Sequence, residues 1–307
     1  MSTSWQHALQ ALPTTPEKIP VFFFAHGSPM LAFAREERGF GGPMAAYHGP
    51  EGPLAKFLAD FGPTLLKKYK PKGIVQQILS LINAKDKPVT DYAENPLLMD
   101  YYGFPPDFYQ IKFKSRGDSK LAQRVVDLYR QAGHKARTTI VDESRGEDGR
   151  GFSGPGLDHG VFVPFRIMFG EEFTDIPIVQ VSIDASMDPE KNWEAGKALA
   201  ALREEGILIL SGGLTAHNLR DRTSFAPETA GELHKEFDRA IHDALGVASE
   251  KERKTRMIAL TRHRGFRASH PREDHFVPLY VAAGAGEGGR AETIVDLYGL
   301  ASFVFGI

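Results

Sequence analysis

Apolar residues follow two alternating rhythms along the chain. Compact runs rich in β-branched and aromatic residues predict strands at Val21–Ala25, Gly73–Ile82, Arg137–Val141, Ile176–Ile183, Ile207–Leu210 and Ala301–Phe305. Most are apolar on both alternating faces, the pattern of central strands covered on each side by helices. Between them, apolar positions recur at helical spacing. Leu54, Phe57, Leu58, Phe61 and Leu65 form one stripe, which Pro63 is expected to kink or end. Leu121, Val125, Leu128 and Ala132 form a second, stopped by Gly133. Asp188 and Pro189 read as the cap and first position of a helix running toward Trp193 and Leu199. A fourth helix is marked by Pro227, Leu233, Phe237, Ile241 and Gly246. This alternation predicts an α/β fold, a single domain over residues 1–307 with a central mixed sheet covered by helices. Asp142 to Asp158, rich in charge and glycine, reads as a functional loop between structured flanks.

Composition narrows the chemistry. With 37 basic and 39 acidic residues, the net charge is −2, and the cations are scattered. Such a surface offers no field for nucleic acid. The chain has no cysteine, which excludes disulfides, thiolate metal sites and a cysteine nucleophile. Any metal must then be held by nitrogen or oxygen ligands. Met1 to Pro20 lacks the charged start and apolar stretch of a secretion signal, and no window approaches a membrane span. A soluble cytoplasmic protein is the expectation, and its oligomeric state is left open.

Candidate chemistry lies with the histidines, eleven in number, because several stand at the ends of predicted elements. His26 follows Val21–Ala25 directly and opens the turn His26-Gly27-Ser28-Pro29. In an open α/β sheet, ligands bind at this carboxyl end of the strands. The same residue also reads as a turn histidine bonded to backbone. His217 leaves the strand Ile207–Leu210 through Ser211-Gly212-Gly213-Leu214-Thr215-Ala216, either over the same sheet edge or as a capping residue. His275 lies just ahead of Pro278, which is tolerated only in a first helical turn. The positive end of that helix suits a neutral, metal-ligating imidazole; the plainer reading makes Asp274 the helix cap. His159, between the charged loop and a short apolar run, reads equally as a substrate contact or as a hydrogen-bonded core residue. His48 and His270 are loop residues that could line a pocket, and His7, His134, His234, His242 and His263 read as solvated.

The segments around His26, His159, His217 and His275, in that order over nearly the whole chain, resemble the class III extradiol ring-opening dioxygenases, and within them the 4,5-DOPA dioxygenase branch. The resemblance implies an α/β enzyme that opens a catechol with O2 to a muconic semialdehyde, using non-haem Fe(II), with zinc a possible occupant. It implies that His26 and His275 are metal ligands, that His217 is the acid/base histidine, and that His159 stands near the substrate. The chemistry agrees with these roles. An imidazole titrating near neutrality can take a catechol proton, and three facial ligands leave a position for oxygen.

One motif departs. The family carries a further metal histidine at the end of its second strand, whereas this chain reads Ile78-Leu79-Ser80-Leu81-Ile82-Asn83. Ser80, Ile82 or Asn83 takes that place, and Asn83 could offer a carbonyl oxygen as the third metal ligand. Asp86, Glu273 or Asp274 is the alternative to complete the set. The departure is compatible with a substitute ligand, with a metal-poor relative that binds a small molecule or protein through the same cleft, or with an error in the gene model. A zinc hydrolase using the same histidines is a third functional reading.

Overall fold

In the computed structural model, which describes residues 4–14, 16–33, 43–78, 86–143 and 154–307, apolar strands assemble into one mixed sheet. Chain order gives β1 (Val21–Ala25), β2 (Gly73–Ile78), β3 (Lys87–Thr90), β4 (Lys114–Ser115), β5 (Ala136–Thr139), β6 (Glu172–Phe173), β7 (Ile178–Ser182), β8 (Ile207–Gly213), β9 (Ala291–Val295) and β10 (Ser302–Phe305). Eight of them pair in the order β5-β3-β7-β2-β8-β1-β10-β9, while β4 and β6 form a separate two-stranded ribbon. The central four, β7, β2, β8 and β1, run parallel. On one flank β10 is antiparallel to β1, and on the other β3 is antiparallel to β7. Every residue of β1, β7, β8 and β10 is buried, as strands covered on both faces must be.

The covering helices are α1 (Ser4–Ala11), α2 (Pro43–His48), α3 (Pro53–Tyr69), α4 (Ser119–Gln131), α5 (His159–Phe169), α6 (Pro189–Ala198), α7 (Glu232–Leu245), α8 (Glu250–Ala259), α9 (Phe266–Ser269) and α10 (Pro278–Ala285). One apolar core joins them to the sheet. The α/β expectation holds, and Asp188 caps α6 as read, accepting from the Lys191 amide at 2.9 Å.

Two sequence expectations are corrected, and one strand went unread. Helix α3 does not end at Pro63 but continues to Tyr69. Its apolar face, including Phe57 and Phe61, is fully buried, so tertiary packing outweighs the lost backbone bond. The strand β3 was concealed by Pro88, yet it is an internal strand; only Val89 and Val181 pair across to β7, so the missing amide falls beside a nearly interrupted ladder. His234 is not solvated: it is buried in α7, between the Ser269 hydroxyl at 3.1 Å and Asp221 at 3.3 Å.

At the exit of β7, Asp184 receives an ion pair from Lys87 at 2.9 Å and hydrogen bonds from the Ser186 hydroxyl and amide. Burial alone would raise the Asp184 carboxyl, but Ser186 and Lys87 reverse this and bring it down to about 2.

Candidate active site at the carboxyl edge of the sheet

The exits of β1 and β8 are stitched together. The His26 amide donates to the Gly213 carbonyl at 3.1 Å, and the Leu214 amide donates to the His275 carbonyl at 2.8 Å. Gly213 is required here, since a Cβ would stand 2.5 Å from that same His275 oxygen. Gly27 takes φ +70, and a side chain there would collide with Leu31. Ser28 then accepts from the Met30 amide at 3.3 Å, which starts a short 3-10 turn. The His-Gly-Ser-Pro turn therefore has a mechanical reason for each residue after the histidine, while His26 itself is left facing inward.

His217 reaches the same edge. Its amide donates to the Ser269 carbonyl at 2.8 Å, and Thr215 and Ala216 both donate to Gly299. His275 precedes α10, whose first residue is Pro278, as expected. Asp274 does not cap that helix; the cap position is Val277. Instead, Asp274 Oδ1 accepts from both the His275 amide at 3.0 Å and its ring Nδ1 at 3.1 Å. His159, the first residue of α5, is held by the same device: Asp100 Oδ1 accepts from its amide at 2.9 Å and its Nδ1 at 2.8 Å. A carboxylate only accepts, so in both residues Nδ1 carries a proton and Nε2 lies on the ring edge away from the carboxylate.

The four imidazoles converge. His26 lies 5.3 Å from His275 and 5.7 Å from His159 between ring centroids, and His217 stacks on His275 at 3.6 Å and 17°. Burial, followed by the neighbouring His275 and His159, pushes His26 well below the ordinary histidine range. Burial and then His275 do the same to His217. Both rings are neutral at physiological pH, the form that coordinates a cation or accepts a proton. His26 Nδ1 is buried without a hydrogen-bond partner among the described residues. A buried ring nitrogen left unsatisfied in this way costs free energy unless something else engages the ring.

The donor set suits a divalent metal. Ligand atoms of His217, Asp274 and His275 all lie within 4.8 Å of one another, and the ring of His26 faces His275. Neutral imidazoles backed by a carboxylate are the usual nitrogen ligands of zinc and ferrous iron. Asn83, Ser80 and Ile82 lie outside the described residues, as does 144–153 within the charged loop. Asp86 and Glu273 are engaged elsewhere, by Arg137 at 3.0 Å and by Arg267 respectively, and neither lines the cavity.

A cavity of about 500 Å³ opens over His159, His217 and His275. His48, which ends α2 and packs edge-on to Phe225 at 5.4 Å, borders it. His270 does not; it is buried beneath, with Nε2 3.0 Å from the Thr215 carbonyl. Residues that sequence reasoning passed over include Asp100, Tyr101, Arg220 and Arg272, all on the cavity wall. Nothing local distinguishes Asp100; its role appears only when α5 is brought against the segment 97–101.

Over residues 21–305 the chain matches the model of the catalytic LigB subunit of aromatic ring-opening dioxygenase. The chain belongs to this family. A 4,5-DOPA dioxygenase extradiol-like protein of Schizosaccharomyces pombe is 38% identical, over 99% of this chain and 97% of that protein. The 4,5-DOPA dioxygenase extradiol of Beta vulgaris is 32% identical, over 89% of each. In fold, a crystal structure of an uncharacterized Escherichia coli K12 protein superposes with a TM-score of 0.63 at 24% identity, covering 94% of this chain and 100% of that one. LigB membership covers the whole sheet, from β1 to β10, and all four converging histidines. No helix among the described residues is long and apolar enough to cross a membrane.

Proposed function

We propose that the protein is an Fe(II)-dependent extradiol dioxygenase that opens a DOPA-like catechol with O2 to a muconic semialdehyde. The observation that carries this reading is the convergence of His26, His159, His217 and His275 at one sheet edge beneath a cavity of about 500 Å³. His26 and His275 would hold the metal, with Asn83 taking the position of the family's further histidine and zinc an alternative occupant. When bound, ferrous iron would chelate the two catechol oxygens and relay the electrons of the catechol to O2.

The remaining work falls to the chain. Asp274 fixes the His275 ring through Nδ1, leaving Nε2 for coordination. His217, neutral because it is desolvated, takes a catechol hydroxyl proton and returns one as the ring opens. His159, set by Asp100, presents Nε2 to the substrate side of the cavity, where it orients a hydroxyl. Tyr101 packs edge-on to His159 at 5.7 Å and closes that wall against water. Both atoms of O2 end in the product, one in the new carboxylate and one in the aldehyde, so no external reductant is needed.

The test is oxygen uptake with a catechol such as DOPA, with and without added Fe(II), followed by appearance of a yellow semialdehyde. No uptake at saturating Fe(II) sinks the proposal. A second reading, a metal-poor relative that only binds a small molecule, is favoured by the absence of histidine from Ile78–Asn83. Metal analysis after reconstitution separates the two: iron well below one per chain in a folded protein, raised by Asn83→His, supports the second.

A further inference from the structure

The floor and the mouth of the cavity differ in charge. At the floor, the carboxylates of Asp100 and Asp274 are buried and engaged with imidazoles. At the mouth stand two exposed guanidinium groups, Arg220 and Arg272. Arg272 leans on Asp274, with Nε 3.5 Å from Oδ2. Arg220 is different. Its amide bonds Asn218 Oδ1 at 3.0 Å, but its guanidinium has no acceptor among the described residues. Several exposed arginines are paired, Arg239 with Glu232 at 2.6 Å, Arg256 with Glu252 at 2.5 Å and Arg264 with Glu236, while Arg222 and Arg262 are exposed like Arg220 but do not line the cavity.

The apolar surface points to the same place. Among the described residues five large apolar side chains are exposed, and two of them, Tyr102 at 69% and Leu219 at 61%, border this mouth. A mouth with a cation beside exposed aromatic and aliphatic surface suits a ligand with an apolar arm ending in an anion. With the ring seated over the imidazoles, a substituent opposite the hydroxyls is directed outward, toward the arginines.

We infer that Arg220 is a specificity-determining residue that selects catechols whose side arm ends in a carboxylate, with Arg272 reinforcing the positive field. The inference rests on the ring-opening reading of the cavity and deepens it by assigning the residue that recognises the side arm. A guanidinium fork matches a carboxylate with two parallel hydrogen bonds, and the flanking side chains reduce water's competition for them. Because Arg220 is exposed, the selectivity expected is modest, about tenfold to thirtyfold in affinity. A neutral catechol enters the same cavity without that contact.

The experiment measures binding, so that chemistry cannot obscure it. Calorimetric titration of the ferrous-loaded protein without oxygen compares 3-(3,4-dihydroxyphenyl)propionate with 4-propylcatechol, in the unsubstituted protein, Arg220→Ala and Arg220→Lys. The acid is expected to bind about tenfold or more tightly than the neutral analogue at low salt, with the gap narrowing as salt is raised. In Arg220→Ala the two dissociation constants converge, and in Arg220→Lys an intermediate gap remains. Equal affinities in the unsubstituted protein, or a gap that survives Arg220→Ala, overturns the inference while leaving the ring-opening site standing. Failure of both catechols to bind brings down the ring-opening reading, and this inference with it.

Discussion

At the exit of β7, Lys87 and Asp184 close on each other at 2.9 Å, and the serine beside them satisfies what remains of the carboxylate. Two strands away in the same sheet, β8 leads to His217, and the next strand, β1, leads to His26, whose buried Nδ1 finds no partner among the described residues. Both places bury ionisable groups at one sheet edge, and burial acts against the charged form in both. The difference lies in completion. At the β7 exit Ser186 and Lys87 outweigh burial, so Asp184 stays ionised, whereas at the β1 and β8 exits burial outweighs the nearby Asp100 and Asp274, and the imidazoles become neutral. A closed pair holds the fold; an unfinished set of neutral donors is where an external partner belongs.

The largest expected effect is at the unfinished end. Replacing His275 with alanine removes one metal-facing ring and the stacking partner of His217, and turnover should fall by at least about a thousandfold with parallel loss of bound iron. Iron content by elemental analysis beside oxygen uptake measures it; full iron with full activity would remove His275 from the site. His217→Gln should spare iron binding while lowering kcat about a hundredfold to ten-thousandfold, as expected for loss of a general acid/base. If kcat is unchanged and only KM rises, His217 is a binding residue. Asp100→Asn keeps the shape but lets an amide face the ring, so His159 can adopt the wrong tautomer; a loss of about tenfold to a hundredfold in kcat/KM is expected, against little change in melting temperature.

The smallest effect belongs to the closed pair and is one of stability alone. Asp184 is depressed in the folded state to about 2 from an ordinary carboxyl near 3.8, so it contributes stability above about pH 4 that is lost as pH falls toward 2. Asp184→Asn should therefore cost about 2 kcal/mol at neutral pH, with the difference from the unsubstituted protein fading between about pH 4 and pH 2. Denaturant titrations at several pH values read this directly. A penalty independent of pH would show that packing, rather than charge, holds that corner.

Strands buried on both faces were legible because hydrophobicity alone reports them: β1 was read with its full bounds, and β7, β8 and β10 within a few residues. Strands that owe their place to neighbours were not. Lys87-Pro88-Val89-Thr90 carries a proline and a lysine, and is held as β3 by pairing with β5 along its whole length, with the Lys87–Asp184 ion pair at its start. At the site, His26, His217 and His275 could be picked out because each stands just beyond an element whose end the sequence marks. Asp100 and Arg220 lacked any such mark, since each acquires meaning from a segment far away in sequence. His234 was misjudged for a related reason: the helical wheel places it on a polar face, and that face happens to be covered by Asp221 and Ser269.

The strand order carries a consequence for the order in which the molecule is made. Strand β1, which ends at His26, is hydrogen-bonded on one side to β8 and on the other to β10, and the Ala25 amide reaches the Ser302 hydroxyl across 277 residues. During synthesis this run, with its three phenylalanines, leaves the ribosome long before either neighbour exists, and must stay unpaired until residues 207–213 and 302–305 follow. Contacts this distant in sequence form slowly and leave an exposed apolar segment meanwhile. The histidine cluster is therefore among the latest parts of the protein to come into being, and a nascent chain acquires its site only once its barrier to aggregation is nearly passed.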